Sequence, residues 1–399
     1  MRLRRILVMP VLTGLDSFEK SWPKGLRGAR AGLLVHPASV NRKLEHAADL
    51  FLRSRKLTLK ALFGPQHGIR GETQDNMIEW EGFRDGRTGL PVFSLYGHTR
   101  KPTPAMLKDI DVMVIDLQDI GSRYYTFIWT MELCMQSCLE AGKPVVVLDR
   151  PNPIGGTLVE GPVLDEQCAS FVGQRPLPVR HGMSMGEIAL YLKESFYPGL
   201  ELHVVPMLGW QRKMWFDNTK LPWVLPSPNM PAIDTASVYP GMCLLEGTMI
   251  SEGRGTTRPF EIFGAPYIDP DRLAKKLISY KLPGVVFRPM YFKPAFQKHA
   301  GALCGGAQIH ITGRERFMPF KTGVAVIMSI LDLYPKDFLW KQPPYEYETE
   351  KMPIDILAGT ERLRQEIEKG ERLDRMEEWW REQCHSFRKN VRRRFLFYA

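Results

Sequence analysis

Between residues 31 and 150 short apolar runs alternate with amphipathic stretches. The runs Ala31 to Val35, Leu57 to Phe63, Pro91 to Leu95, Asp111 to Asp116 and Pro144 to Asp149 have strand length. Segments near Leu44 to Arg53, Pro104 to Lys108 and Thr126 to Ala141 carry helical patterning. Thr103 followed by Pro104 supplies a capping hydroxyl and then a proline at the first helical position. Val112-Met113-Val114-Ile115 shows no polar alternation, as a strand covered on both faces would not. Strand and helix in this order predict an α/β fold with a doubly wound, Rossmann-like parallel sheet.

Beyond this region a helix follows Ser184 and a strand covers His203 to Val205, before the proline-rich passage Leu221 to Pro231 interrupts the pattern. A helix after Asp269, strands near Val285 to Arg288 and Ala307 to Ile311, a helix from Pro319 and further helices toward the end read as a smaller α+β unit. A chain of 399 residues exceeds one ordinary core. The expected division is therefore a Rossmann-like domain over 1–228 and an α+β domain over 229–399.

Composition narrows the class. No apolar stretch is long enough to span a bilayer. The formal charge of +10 raises nucleic acid as a partner, but the clustering sits at Arg388 to Arg394 and no recognition module with interleaved aromatics accompanies it. The charge instead suits capture of anionic small molecules. Six cysteines without zinc spacing read as reduced, buried thiols, and the nine histidines also lack metal-ligand spacing. Nothing here calls for a metal or another cofactor. The start, Met1 to Arg5 followed by Ile6 to Leu15, superficially resembles a signal peptide. Pro10 and Gly14 interrupt it and no small-residue cleavage site follows, so it reads as mature sequence of a cytoplasmic protein.

Candidate chemistry gathers where strands end, the edge at which open α/β sheets bind ligands. Gly64-Pro65-Gln66-His67-Gly68-Ile69-Arg70-Gly71 leaves the Leu57 run, Asp116-Leu117-Gln118-Asp119-Ile120-Gly121-Ser122-Arg123-Tyr124-Tyr125-Thr126 leaves the Asp111 run, and Asp149-Arg150-Pro151-Asn152-Pro153 leaves the Pro144 run. Any one of these residues also has a plain structural reading: Asp149 would pair with Arg150 or cap a turn. Ser251-Glu252-Gly253-Arg254-Gly255-Thr256-Thr257 suits an anion or a sugar, or a glycine turn held by a local ion pair. Asn229, fixed between prolines, offers an amide to a hydroxyl or acetamido group, although an interdomain linker would look the same. Gly182-Met183-Ser184-Met185-Gly186 matches a serine-hydrolase elbow, but Ser184 and Glu187 also form a capping box, and no strand precedes the turn. The glycines Gly25, Gly28 and Gly32 precede the first strand, where a dinucleotide fingerprint would need them after it.

The segments Phe63 to Gly71, Pro91 to Thr103, Asp116 to Thr126, Leu148 to Pro153, Pro226 to Pro231 and Glu246 to Glu261, in this order, resemble the NamZ-type exo-β-N-acetylmuramidases, a family long grouped as a domain of unknown function. The resemblance implies a Rossmann-like N-terminal domain, a smaller C-terminal domain and a cleft between them. It also implies hydrolysis of terminal, non-reducing β-1,4-linked N-acetylmuramic acid from peptidoglycan fragments, making a muramic-acid-containing sugar the expected partner. The family carries glutamate, its leading catalytic candidate, where this chain has Gln66.

A glutamine has no carboxyl proton to donate, so Gln66 does not inherit that role. Another acid replaces it, the substrate differs, or the protein binds sugar without turnover. Glu72, just past the turn, is the expected replacement, with Asp116, Tyr125 and Glu252 as further catalytic candidates and Glu79, Glu81 and Asp119 as neighbouring carboxylates. Gln66, His67, Arg70, Asp119, Arg123, Asn229, Arg254 and Thr256 are the expected substrate contacts. Among these, Arg70, Arg123 and Arg254 suit the lactyl carboxylate, because guanidinium forks match carboxylates.

Overall fold

The structure, a computed structural model, describes residues 10–75 and 77–399. The signal-like start therefore lies largely outside the described residues. Its end contributes to the helix Gly14–Ser21, which Thr13 opens with a capping box completed by Asp16.

The strands, in chain order, are β1 Arg30–Val35, β2 Thr58–Gly64, β3 Phe83–Arg84, β4 Pro91–Ser94, β5 Val112–Asp116, β6 Val145–Leu148, β7 Glu160–Val163, β8 Pro178–Arg180, β9 Leu202–Val205, β10 Ile262–Ala265, β11 Val285–Phe292 and β12 Cys304–Ile311. Seven of them form one sheet in the order β3-β4-β2-β1-β5-β6-β9, parallel except for β3. The chain winds outward from β1 in one direction and from β5 in the other, so the expected doubly wound sheet is present and its topological switch lies between β1 and β5.

The apolar runs of the sequence become strands because both faces of this sheet are covered. Along β5, Val112 and Val114 join one apolar cluster with Phe18, Trp22 and Phe51, while Met113 and Ile115 join the opposite one with Phe127 and Trp129, as the two-residue strand period requires. The second cluster continues without a break into Tyr239, Phe260, Phe320 and Trp380. The C-terminal part carries the antiparallel sheet β10-β12-β11, flanked by the helices Pro270–Ser279 and Pro319–Leu333. The helix Leu373–Asn390 packs back onto β7, and the Tyr398 hydroxyl donates to Asp149 at 2.6 Å. Asp149 is thereby structural: it also accepts from the Ser184 hydroxyl and Gly186 N, and burial pushes its carboxyl up to about 6. A strand, β8, does precede the Gly182 turn, contrary to expectation, but Ser184 completes the capping box with Glu187 and donates to Asp149, which accounts for the hydrolase-like motif.

Candidate active site

Two polar clusters occupy the carboxyl edge of the large sheet. The first fills the switch between β1 and β5. Asp116 ends β5 fully buried, and Arg150 clamps it through Nε at 2.5 Å and a terminal nitrogen at 2.7 Å while donating to Val40 O at 3.0 Å. His36, just past β1, accepts from Gln118 N at 2.8 Å and faces Pro226 O at 3.1 Å. Burial pushes its imidazole down to about 3, so it is neutral at ordinary pH. The cavity left here is about 10 Å³, smaller than one water. The place where a Rossmann ligand would sit is occupied by the protein's own ion pair.

The second cluster lies where loops after β2, β4 and β5 meet the C-terminal part. Gln66, His67, Tyr124, Tyr125 and Thr126 line a pocket together with Ser227, Asn229, Tyr239, Glu246, Arg254, Tyr345 and Glu346. Gln66 is reached by a sharp turn: His67, a non-glycine residue, takes φ +68° and Gly68 takes +80°. Left-handed backbone at a residue with a side chain costs energy and is common at functional sites. The Gln66 amide is held on both sides. The Thr126 hydroxyl donates to Oε1 at 2.7 Å, and Nε2 donates to the Tyr96 hydroxyl at 3.0 Å and to Glu346 Oε1 at 3.4 Å.

Two carboxyl groups face this pocket in different surroundings. Glu246 is ion-paired with Arg254 at 2.9 Å and accepts from the Tyr345 hydroxyl at 2.7 Å. Glu346 accepts from the Tyr96 hydroxyl at 2.7 Å. Burial raises its pKa and the nearby Glu246 adds to this, against the pull of Tyr96, Gln66 and Arg254. Tyr125 is buried beside Ser227 at the pocket wall, and burial raises its pKa, which disfavours a free phenolate. Desolvation holds the part-buried His67 down at about 4, with Nδ1 facing Thr73 O at 2.7 Å.

The geometry corrects several expectations. Glu72 is exposed and lies outside the pocket, because the chain turns away after Gly71. Asp116 belongs to the Arg150 clamp. Glu252 stands behind Arg254, held by it at 3.1 Å and by Lys298 at 2.9 Å; despite burial these cations bring it down to about 2, so it carries no proton to donate. Arg70 points outward, with most of its side chain exposed, toward Asp85 and the Phe83 ring. Arg123 is fully buried and spends its terminal nitrogens on the carbonyls of Pro162, Leu177 and Leu357. Asp119 accepts from Gly121 N at 2.6 Å and faces His181, away from the pocket lining. Thr256 turns its hydroxyl onto Gly253 O.

The sequence reading overlooked Glu346 and Tyr345. Their signal is a Pro343-Pro344 pair followed by alternating Tyr and Glu over Tyr345 to Glu348, too short a run to mark a strand. Glu246 and Tyr96 lay inside the family-like segments but were not singled out.

The pocket has a volume of about 40 Å³. Two segments cover it: the loop after Gln66, tied down by Asn229 Nδ2 donating to Gln74 O at 2.8 Å, and the tip around Glu346. A larger open groove, about 760 Å³, lies between the helices Pro270–Ser279 and Pro319–Leu333, but its cations Lys276, Lys321 and Arg372 already pair with Asp332, Glu377 and Asp374. Among the described residues no group of three or more His, Cys, Asp or Glu is placed to hold a metal ion, and no helix is long and apolar enough to cross a membrane.

Comparison with known proteins places this architecture. The family model for the N-terminal part of the exo-β-N-acetylmuramidase NamZ matches residues 31–234, and that for its C-terminal part matches residues 237–398. The chain is 46% identical over 388 residues to the peptidoglycan β-N-acetylmuramidase NamZ of Bacillus subtilis (strain 168), covering 97% of this chain and 91% of that protein. Two crystal structures of DUF1343 family proteins from Bacteroides fragilis NCTC 9343 superpose on it. One has a TM-score of 0.86 at 35% identity and the other 0.75 at 26%, each covering 98% of this chain and 99% of its own. With both halves matched in order and a relative aligned over nearly its whole length, the chain belongs to the exo-β-N-acetylmuramidase NamZ family.

Proposed function

We propose that this protein is a glycoside hydrolase that releases terminal, non-reducing β-1,4-linked N-acetylmuramic acid from peptidoglycan fragments, using the pocket between the N- and C-terminal parts. The observation that carries the reading is that Glu246 and Glu346 enter one pocket beside Gln66, Asn229 and Arg254 in a chain of this family. Glycoside hydrolysis ordinarily uses two carboxyl groups, one to protonate the leaving oxygen and one to attack or to activate water. The amides of Gln66 and Asn229 are suited to sugar hydroxyl and acetamido groups.

Ligand pockets usually measure about 300–1,000 Å³, so at about 40 Å³ this one admits a sugar only when the Gln66 loop or the Glu346 tip withdraws. Of the three arginines considered for the lactyl carboxylate, Arg254 alone lines the pocket, and its Nε has no hydrogen-bond partner. Six free, buried cysteines suit a reducing compartment, which supports a cytoplasmic place for the reaction.

Incubation with a muramic acid–N-acetylglucosamine disaccharide and with a chromogenic β-N-acetylmuramide should release free N-acetylmuramic acid. The second reading, a carbohydrate-binding protein without turnover, is favoured by Gln66 at the family's glutamate position. Calorimetric binding of the disaccharide without any release would establish it. Arg254→Lys should narrow the preference for muramic acid over N-acetylglucosamine, and an unchanged preference would remove Arg254 from carboxylate recognition.

A further inference from the structure

We propose that Glu346 is the proton donor of this pocket, supplying from the C-terminal part the carboxyl that Gln66 lacks. The inference rests on the glycosidase reading above and assigns its acid.

The backbone delivers Glu346 deliberately. Tyr345 N donates to Glu348 O and Glu348 N donates to Tyr345 O, each at 2.9 Å, so Glu346 and Tyr347 form the two-residue tip of a tight turn. Both take left-handed backbone, φ +46° and +68°. Such tips favour Asn-Gly, since most side chains disfavour positive φ. Here the strained positions hold a glutamate buried against Gln66 and a tyrosine under the Arg100 guanidinium, 3.5 Å from the ring centre. Strain persists only where the surroundings over-determine it, and it concentrates at working sites.

The two pocket carboxyls are differentiated by their neighbours. Glu246 is the anionic partner of Arg254, whereas no cation is paired with Glu346 among the described residues. The groups facing Glu346 are Tyr96 and Gln66 from the N-terminal part, Tyr347 on its own tip, and Glu246 and Arg254 from the C-terminal part. Pairs of carboxyls whose environments diverge are how one site holds an acid and a base together. Burial favours the protonated form of Glu346.

In the reaction, the Glu346 proton passes to the glycosidic oxygen as the C1–O bond breaks, and the bonding pair leaves with the alcohol. Water adds to C1 and its proton goes to Glu246. Solvent then returns the first proton to Glu346 and removes the second from Glu246, so the net change is hydrolysis.

The test compares two leaving groups. From the disaccharide the N-acetylglucosamine unit departs as an alkoxide unless protonated, whereas from a 4-nitrophenyl β-N-acetylmuramide the departing 4-nitrophenolate is stable and needs little help. Glu346→Gln should lower kcat on the disaccharide by about 10² to 10⁴. On the nitrophenyl glycoside the loss should be much smaller, with KM near that of the parent. The double variant Gln66→Glu with Glu346→Gln, which moves the carboxyl to the neighbouring position, should recover part of the disaccharide activity. In the unmodified protein, a fall in rate at high pH should be marked for the disaccharide and weak for the nitrophenyl glycoside, a measurement independent of whether any variant folds. Equal kcat for Glu346→Gln and the parent on the disaccharide overturns the assignment, as does an equal loss on both substrates. A parent protein that hydrolyses neither substrate overturns the glycosidase reading and the assignment together, which separates the two failures.

Discussion

The switch-point cluster and the pocket lined by Gln66 and Glu346 stand on the same edge of the same sheet and are built from the same residue types, yet they have opposite character. At the switch, Asp116 is met by a bidentate guanidinium and His36 is enclosed by Gln118 N and Pro226 O, leaving a cavity of about 10 Å³. In the pocket, Glu346 has a tyrosine and an amide for partners, and the Arg254 Nε beside it has none. A buried ion pair with matched hydrogen bonds fixes a structure, whereas a buried acid without a cation retains a usable proton. Sheet topology alone points to the switch, where the structure leaves only about 10 Å³.

The comparison breaks most visibly if the switch cluster turns out to be dispensable. Arg150→Met leaves Asp116 buried and unpaired, so unfolding should become easier by about 3–5 kcal/mol. Denaturant titration would show it, while kcat of the remaining folded protein stays near that of the parent. A normal stability would mean that the Asp116–Arg150 pair does not hold the switch together.

A smaller effect sharpens the pocket side. Tyr96 donates to Glu346 and so pulls its pKa down. Tyr96→Phe removes that pull, raises the pKa further and should carry the high-pH fall of the disaccharide rate to higher pH, as read from a pH–rate profile. The sign follows from the acid being active when protonated: a higher pKa extends the active range upward. A high-pH fall that stays in place, with the low-pH limb moved to higher pH instead, would mean that Glu346 works as an anion.

The smallest expected effect is at Glu72. Exposed and outside the pocket, Glu72→Gln should change stability by no more than about 0.5 kcal/mol and leave kcat on the disaccharide unaltered. A large loss of turnover would place the acid back on the loop after Gln66.

Much of the fold was legible because its signals are local. The β5 run needs only its own residues to announce a two-sided strand, and Ser184 with Glu187 announces the helix Met185–Phe196 through hydrogen bonds three residues apart. Gln66, Thr126 and Asn229 were also reachable, since loops at strand ends and prolines around an amide mark themselves. Glu72 stood out, and Glu346 did not, for the same reason: nearness in sequence was the available guide, and the chain turns away within a few residues.

What the sequence determined by itself was the alternation that builds the sheet, the loops that leave its carboxyl edge, and the presence of an amide, Gln66, on the loop after β2. Tertiary structure decided which charges cancel. Gln66 and Glu346 are 280 residues apart and meet only because a common core joins the two parts of the chain. Whether a carboxyl is a clamp, a buttress or an acid depends on burial and on the charges beside it, and both are properties of the assembled interior rather than of neighbouring residues.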